Sequence, residues 1–127
     1  MTVTLPDNSI APVTPGEDEV SLYLQLIRRY PRLTPQQERE LAKACAEGDE
    51  EAIRQMVCCN LRLVVSVAKE YAGRGVPLLD LVQEGSIGLL TAARKFDYTL
   101  DFRFSTYATK WIRQGITRCI LNHAGLI

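Results

Sequence analysis

The 127-residue chain holds no apolar run long enough to cross a bilayer and no basic stretch leading into an apolar one. That speaks against a membrane span and a secretory signal, so a cytoplasmic protein with no membrane partner is expected. Its four cysteines, Cys45, Cys58, Cys59 and Cys119, form no CxxC pair, and there is one histidine, His123. Structural zinc needs close ligand pairs on turns, so no metal site is expected. The thiols read instead as buried or half-buried groups in a reducing cell, with Cys58 and Cys59 on different faces of a helical pattern. No glycine-rich loop is placed to cradle phosphate, and no nucleophile–base pair stands out beyond a bare Cys119–His123 spacing. Neither catalysis nor a cofactor is expected. No segment reads as a strand.

Net charge is also lacking: 15 basic side chains balance 15 acidic ones. The distribution is less even. Residues 1–59 carry six basic and ten acidic side chains, whereas residues 60–127 carry nine basic and five acidic. An anionic partner would therefore meet the second half, although solvated helix faces produce such imbalances too.

What is present is helical. Residues 1–16, with three prolines and little periodicity, read as a flexible tail. EDEVSLYLQLIRRY clusters Val20, Leu22, Tyr23, Leu24, Leu26 and Ile27 at helical spacing and stops at Pro31. In LTPQQERELAKACAEG, Thr34 is an N-cap, Pro35 takes the first helical position, Gln37 completes a capping box and Gly48 ends the helix. Asp49 caps the next helix, which is expected to run unbroken to Tyr71 and the Gly73-Arg74-Gly75 turn. Pro77 opens another, in which Gly85 and Gly88 permit either a kink or close packing. After the loop DYTLDFR, Ser105 is expected to cap a helix from about Thr106 to Ala124. The expectation is an all-α fold, a compact bundle of about five helices, with residues 17–127 forming a single domain.

On the last helix, Ile112, Ile116, Cys119 and Ile120 make one apolar stripe. Tyr107, Trp111, Gln114, Thr117 and Arg118 share the other side, with Lys110 and Arg113 along its edge. Rings beside amides and guanidinium groups are how proteins hold unstacked bases. The same rings could equally pack against another helix with their polar tips at its rim.

NLRLVVSVAKEY (60–71), DLVQEGSIGLLTAARKFD (80–97) and FRFSTYATKWIRQGITR (102–118) resemble the core of bacterial RNA polymerase sigma factors of the housekeeping (sigma-seventy) family. The preceding DEVSLYLQLIRRYPRLTPQQERELAKACAEGDEEAIRQMV is similar to that family's region 1.2, so residues 17–59 are region 1.2-like and 60–127 region 2-like. The resemblance ends with region 2.4, as in an excised domain or a very short natural relative. The departures at Leu100, Asp101 and Lys110 suit a truncated group 2 or alternative member more than a principal factor. It implies a factor that directs transcription initiation, with two macromolecular partners and a monomeric state when free. One partner is core RNA polymerase, gripped at a coiled coil of its β′ subunit. The other is promoter DNA, chiefly the non-template single strand of the −10 element. An anti-sigma factor is a further partner such proteins meet.

Position by position, the resemblance implies three surfaces. Asp80, Gln83, Glu84, Ser86 and Leu90 would meet polymerase; Asp80, Gln83 and Glu84 do bunch on one helix face, as an ordinary solvated face also would. Phe102, Phe104, Thr106, Tyr107, Trp111 and Gln114 would open the −10 element and hold its non-template strand, and Gln114 and Thr117 would contact its upstream base pair, with Lys110, Arg113 and Arg118 as nearby cations. Tyr107 is implied to stack where the first pair opens, and Phe102 to wall the flipped adenine. Phe104 matches the same run but reads better as core. Asn60, Leu63 and Ser66, with Arg103 and Ser105, match a pocket for a second flipped base. Lys110 stands where the family usually has a second tryptophan, Leu100 where arginine is common and Asp101 where glycine is common. The competing reading is a truncated module that binds polymerase without reading DNA sequence.

Overall fold

The capping signals place the first long helices. In the computed structural model, which describes residues 2–5, 8, 10–12 and 19–123, Thr34 Oγ1 accepts from Gln37 N at 3.1 Å while Gln37 Oε1 accepts from Thr34 N at 3.0 Å. This reciprocal pair starts α2 (Pro35–Ala46), after the shorter α1 (Glu19–Ile27). Gly48 follows at φ +87°, a left-handed turn that a β-carbon would strain. Asp49 Oδ1 then accepts from the Glu51 and Ala52 amides and starts α3 (Glu50–Cys58).

The expected unbroken helix from Asp49 to Tyr71 is corrected here. It divides into α3 and α4 (Leu61–Lys69) at Cys59-Asn60, giving six helices among the described residues where about five were expected. Asn60 Nδ2 donates to the Met56 carbonyl at 2.8 Å, and Asn60 N and Leu63 N bond three residues back rather than four. An asparagine side chain that competes for backbone groups in this way interrupts a helical ladder. Gly73 and Gly75, both at positive φ, turn the chain into α5 (Leu78–Lys95).

A second correction concerns the start of α6 (Phe104–His123). Ser105 lies inside the first turn and is not its cap. A third concerns the expectation of no strand; of the residues 1–16 expected to form a flexible tail, much lies outside the described residues. There β1 (Thr2–Thr4) and β2 (Ile10–Pro12) pair antiparallel with Thr2 opposite Pro12, and Leu5 is buried. Three-residue strands are too short for alternation to reveal.

The fold remains all-α in its domain, with α5 at the centre. Leu81, Val82, Leu89, Ala92 and Ala93 of α5 meet Leu61, Val64, Val65 and Ala68 of α4, and Phe104, Ala108, Ile112 and Ile116 of α6 in one core. Each Val, Leu, Ile or Phe side chain taken fully from water contributes about 1.5–3 kcal/mol, and each alanine methyl about 0.8 kcal/mol. Of the two roles open to Gly85 and Gly88, close packing is the one realised, since α5 runs unbroken through both. A β-carbon at Gly88 would overlap the Trp111 carbonyl, and one at Gly115 would lie 2.5 Å from the Glu84 carbonyl oxygen. Backbone therefore meets backbone along the α5–α6 seam, which sets where Trp111 stands. Among the described residues no helix is long and apolar enough to cross a membrane.

Candidate nucleic-acid interface

The first turn of α6 is held by a residue from another helix. Glu38 stands on the buried stripe of α2 with Ala42 and Cys45, and is itself only 6% exposed. Its Oε2 accepts from the Phe104 amide at 3.0 Å and from Arg103 Nε at 3.1 Å, while Oε1 accepts from Arg103 Nη2 at 3.1 Å. A carboxylate taken from water must be paired, and a helix N-terminus plus a two-pronged guanidinium satisfies it. The cap expected from Ser105 thus comes from residue 38. An acid on an apolar stripe was the available sequence signal.

This anchor fixes one wall of a cleft of about 520 Å³, within the usual size of small-ligand sites. The five residues assigned to a second base pocket, Asn60, Leu63, Ser66, Arg103 and Ser105, all line it. Sequence reasoning missed Arg32, Leu33, Glu38, Cys59 and Arg62, which complete the lining. Arg62 Nη2 donates to the Tyr30 carbonyl and, at 3.5 Å, to that of Arg28, holding the chain after α1 against α4. Burial pushes the Cys59 thiol up in pKa, against an opposing pull from Arg62. The fork that brings Arg103 to Glu38 spans 65 residues, so no local pattern could announce it.

Beside the cleft runs a series of rings. Phe96 meets Phe104 edge-on at 5.2 Å, Phe102 edge-on at 6.1 Å and Tyr107 at 5.5 Å, and Tyr107 meets Trp111 at 6.4 Å. Phe104 is fully buried, as its reading as core requires, whereas Phe102 is 44% exposed. Tyr107 and Trp111 are half-buried, so each ring both packs inward and keeps an outer part in solvent. Phe96 was not among the expected site residues, nor was Lys95, whose Nζ lies 5.1 Å from the centre of the Trp111 ring. That cation–π contact joins the end of α5 to α6.

Thr106, Lys110, Arg113, Gln114 and Arg118 are exposed along α6. Thr117 is half-buried, and its hydroxyl donates to the Arg113 carbonyl at 2.8 Å. Arg113 Nη2 lies 3.4 Å from Glu70 Oε2.

The remaining expected residues lie on α5. Asp80, Gln83 and Leu90 are exposed, as is Ile87 at 60%, an apolar residue on the same stripe that sequence reasoning passed over. Ser86 sits at its margin: its Oγ donates to the Val82 carbonyl at 2.7 Å and lies within bonding reach of the Tyr23 hydroxyl. Burial raises Tyr23 to a pKa of about 12, with Cys58 adding to the rise and the Ser86 bond opposing it. Glu84 is half-buried. Burial raises the nearby Cys119 thiol, helped by the charges of Glu84 and Asp80.

Residues 56–124 match the family model of sigma-70 region 2, and residues 18–51 that of sigma-70 factor region 1.2. The chain is 53% identical over 121 residues to the RNA polymerase sigma factor SigA of a Bacillus species, covering 95% of this chain and 32% of that protein. It is 50% identical over 111 residues to the SigA of Clostridium acetobutylicum, covering 87% of this chain and 29% of that protein. It thus spans about a third of the length of the relatives it matches. A capping helix pair over 18–51 and a ring-bearing helix over 104–123 fall inside these two matches, and the chain belongs to the sigma-70 family, with its region 1.2 and region 2 both present.

Proposed function

We propose that the chain is a promoter-recognition and melting module of transcription initiation. It binds core RNA polymerase through the α5 stripe of Asp80, Gln83, Ile87 and Leu90, at a coiled coil of the β′ subunit. It captures unpaired bases of the non-template −10 strand on α6 and in the cleft beside it. One observation carries this reading: five residues from two separate stretches, Asn60, Leu63, Ser66, Arg103 and Ser105, converge on a single cleft, two of them flanking Phe104 of the ring series along the chain. No covalent step is involved.

The energetics assign the division of labour. Extruding a base costs a few kcal/mol, and one aromatic stack returns about 1–3 kcal/mol. The isolated chain should therefore hold strand that is already single and melt duplex poorly, with polymerase supplying the rest of the basic channel. Fluorescence anisotropy on a labelled single strand bearing TATAAT, against a scrambled strand, tests this. The TATAAT strand should bind more tightly, and Tyr107→Ala or Trp111→Ala should abolish the difference. Equal binding of both strands by the wild-type chain would leave a polymerase-binding module that does not read DNA.

A further inference from the structure

We infer that Glu70 restrains strand binding by occupying Arg113 in place of a phosphate. This rests on the proposed function, and it concerns the strength of that binding, not its sequence preference.

No acid lies on α6 between Phe104 and His123, so its outer face would otherwise present Lys110, Arg113 and Arg118 unopposed. A carboxylate reaches that face from a different helix. Glu70 is the C-cap of α4, held there by its amide bonding to Val67, and its Oε2 lies 3.4 Å from Arg113 Nη2. The position is the wrong end of a helix for an anion, because the C-terminus of the macrodipole favours cations. Local helix stability therefore does not explain an acid at residue 70. Nor does the ion pair: its side chains are 48% and 52% exposed, and exposed pairs contribute little to folding. Along the chain its charged neighbours, Lys69 and Arg74, are basic, and on α6 Lys110 precedes Arg113 by one turn.

Placed there, Glu70 offers Arg113 an anionic oxygen of the kind a strand phosphate would offer. A strand must displace it, and also bears the repulsion between its phosphates and the carboxylate that is released. Removing the charge should free one cation at small cost to the fold.

The test uses the full chain with Glu70→Gln, Arg113→Ala and the double variant, on TATAAT-bearing and oligo(dT) strands. Glu70→Gln should tighten both strands by the same factor, roughly two- to fivefold, the range of an exposed ion pair. The slope of log affinity against log salt should steepen by about 0.7, one further single-strand phosphate contact. In the Arg113→Ala background the gain should vanish. Unchanged or weaker binding by Glu70→Gln overturns the inference, as does an equal gain without Arg113, or a chain that binds neither strand. If the wild type shows no preference for TATAAT while the gain on oligo(dT) still depends on Arg113, the sequence-reading proposal fails and the role of Glu70 stands.

Discussion

Two arginine–glutamate forks join the region 1.2 helices to the region 2 helices. Arg103 meets Glu38 with both contacts at 3.1 Å, and Arg94 meets Glu50 at 3.0 and 3.1 Å. The arginines are similarly exposed, at 50% and 48%, but the Glu38 side chain is 8% exposed and that of Glu50 67%. Near-identical geometry thus serves different ends. If its fork opens, Glu50 returns to water at little cost. Glu38 has no such refuge, and it also accepts the Phe104 amide that begins α6. The buried fork therefore positions the candidate site, whereas the exposed one adds only a surface pair.

The comparison breaks first at Glu38. Glu38→Ala strands the Phe104 amide and leaves Arg103 without its carboxylate. Losing a buried acceptor and a helix cap together should cost about 2–4 kcal/mol, read as a lower urea midpoint. Strand binding should weaken alongside it, because Arg103 and Ser105 lose their register against Asn60 and Ser66. Glu38→Gln keeps an acceptor for the amide and should recover part of the loss. A Glu38→Ala midpoint equal to wild type would mean that the buried fork is as dispensable as the exposed one.

Much of this frame is legible in the sequence where the cause is local. Thr34, Gln37, Gly48 and Asp49 act as their spacing predicts, and Ile112 and Ile116 are buried where helical periodicity puts them. Cys45 and Cys58 are buried and Cys59 and Cys119 half-buried, as expected of thiols without a metal-ligand pattern. The break at Asn60 escapes detection because the apolar period runs on through Met56, Val57, Leu61, Val64 and Val65. Ser105 has the right residue type for a cap, but a carboxylate far away in sequence takes that role. Lys95 on Trp111 and Glu70 on Arg113 are likewise products of helix packing, not of spacing.

The second way to sharpen the contrast is along the seam, where backbone packing and not an ion pair joins the helices. Gly88→Ala forces a β-carbon against the Trp111 carbonyl. Overpacking of this kind costs about 1–3 kcal/mol, offset by roughly 1 kcal/mol of helix propensity, so a net loss of up to about 2 kcal/mol is expected in the urea midpoint. The Lys95–Trp111 contact should open, visible as a shift in the emission of the single tryptophan. If stability falls while that emission is unchanged, the seam does not set the position of Trp111.

The smallest effect is expected at the exposed fork, and its pH dependence has a definite sign. The Arg94 guanidinium, bonded to Glu50 and attracting it, holds that carboxyl below its ordinary range. A carboxyl depressed in the folded state stabilises the fold above its unfolded pKa, about 4.3, and that contribution is lost as pH falls through the lower folded value. Arg94→Ala should therefore lower the urea midpoint slightly at neutral pH and low salt, by a small fraction of the Glu38→Ala effect. The two midpoints should converge in acid, where Glu50 is protonated in both proteins, and also in 1 M salt, where exposed charges are screened. A gap that persists at low pH would show that Arg94 contributes through packing of its stem along α5, and that burial of the carboxylate is not what separates the two forks.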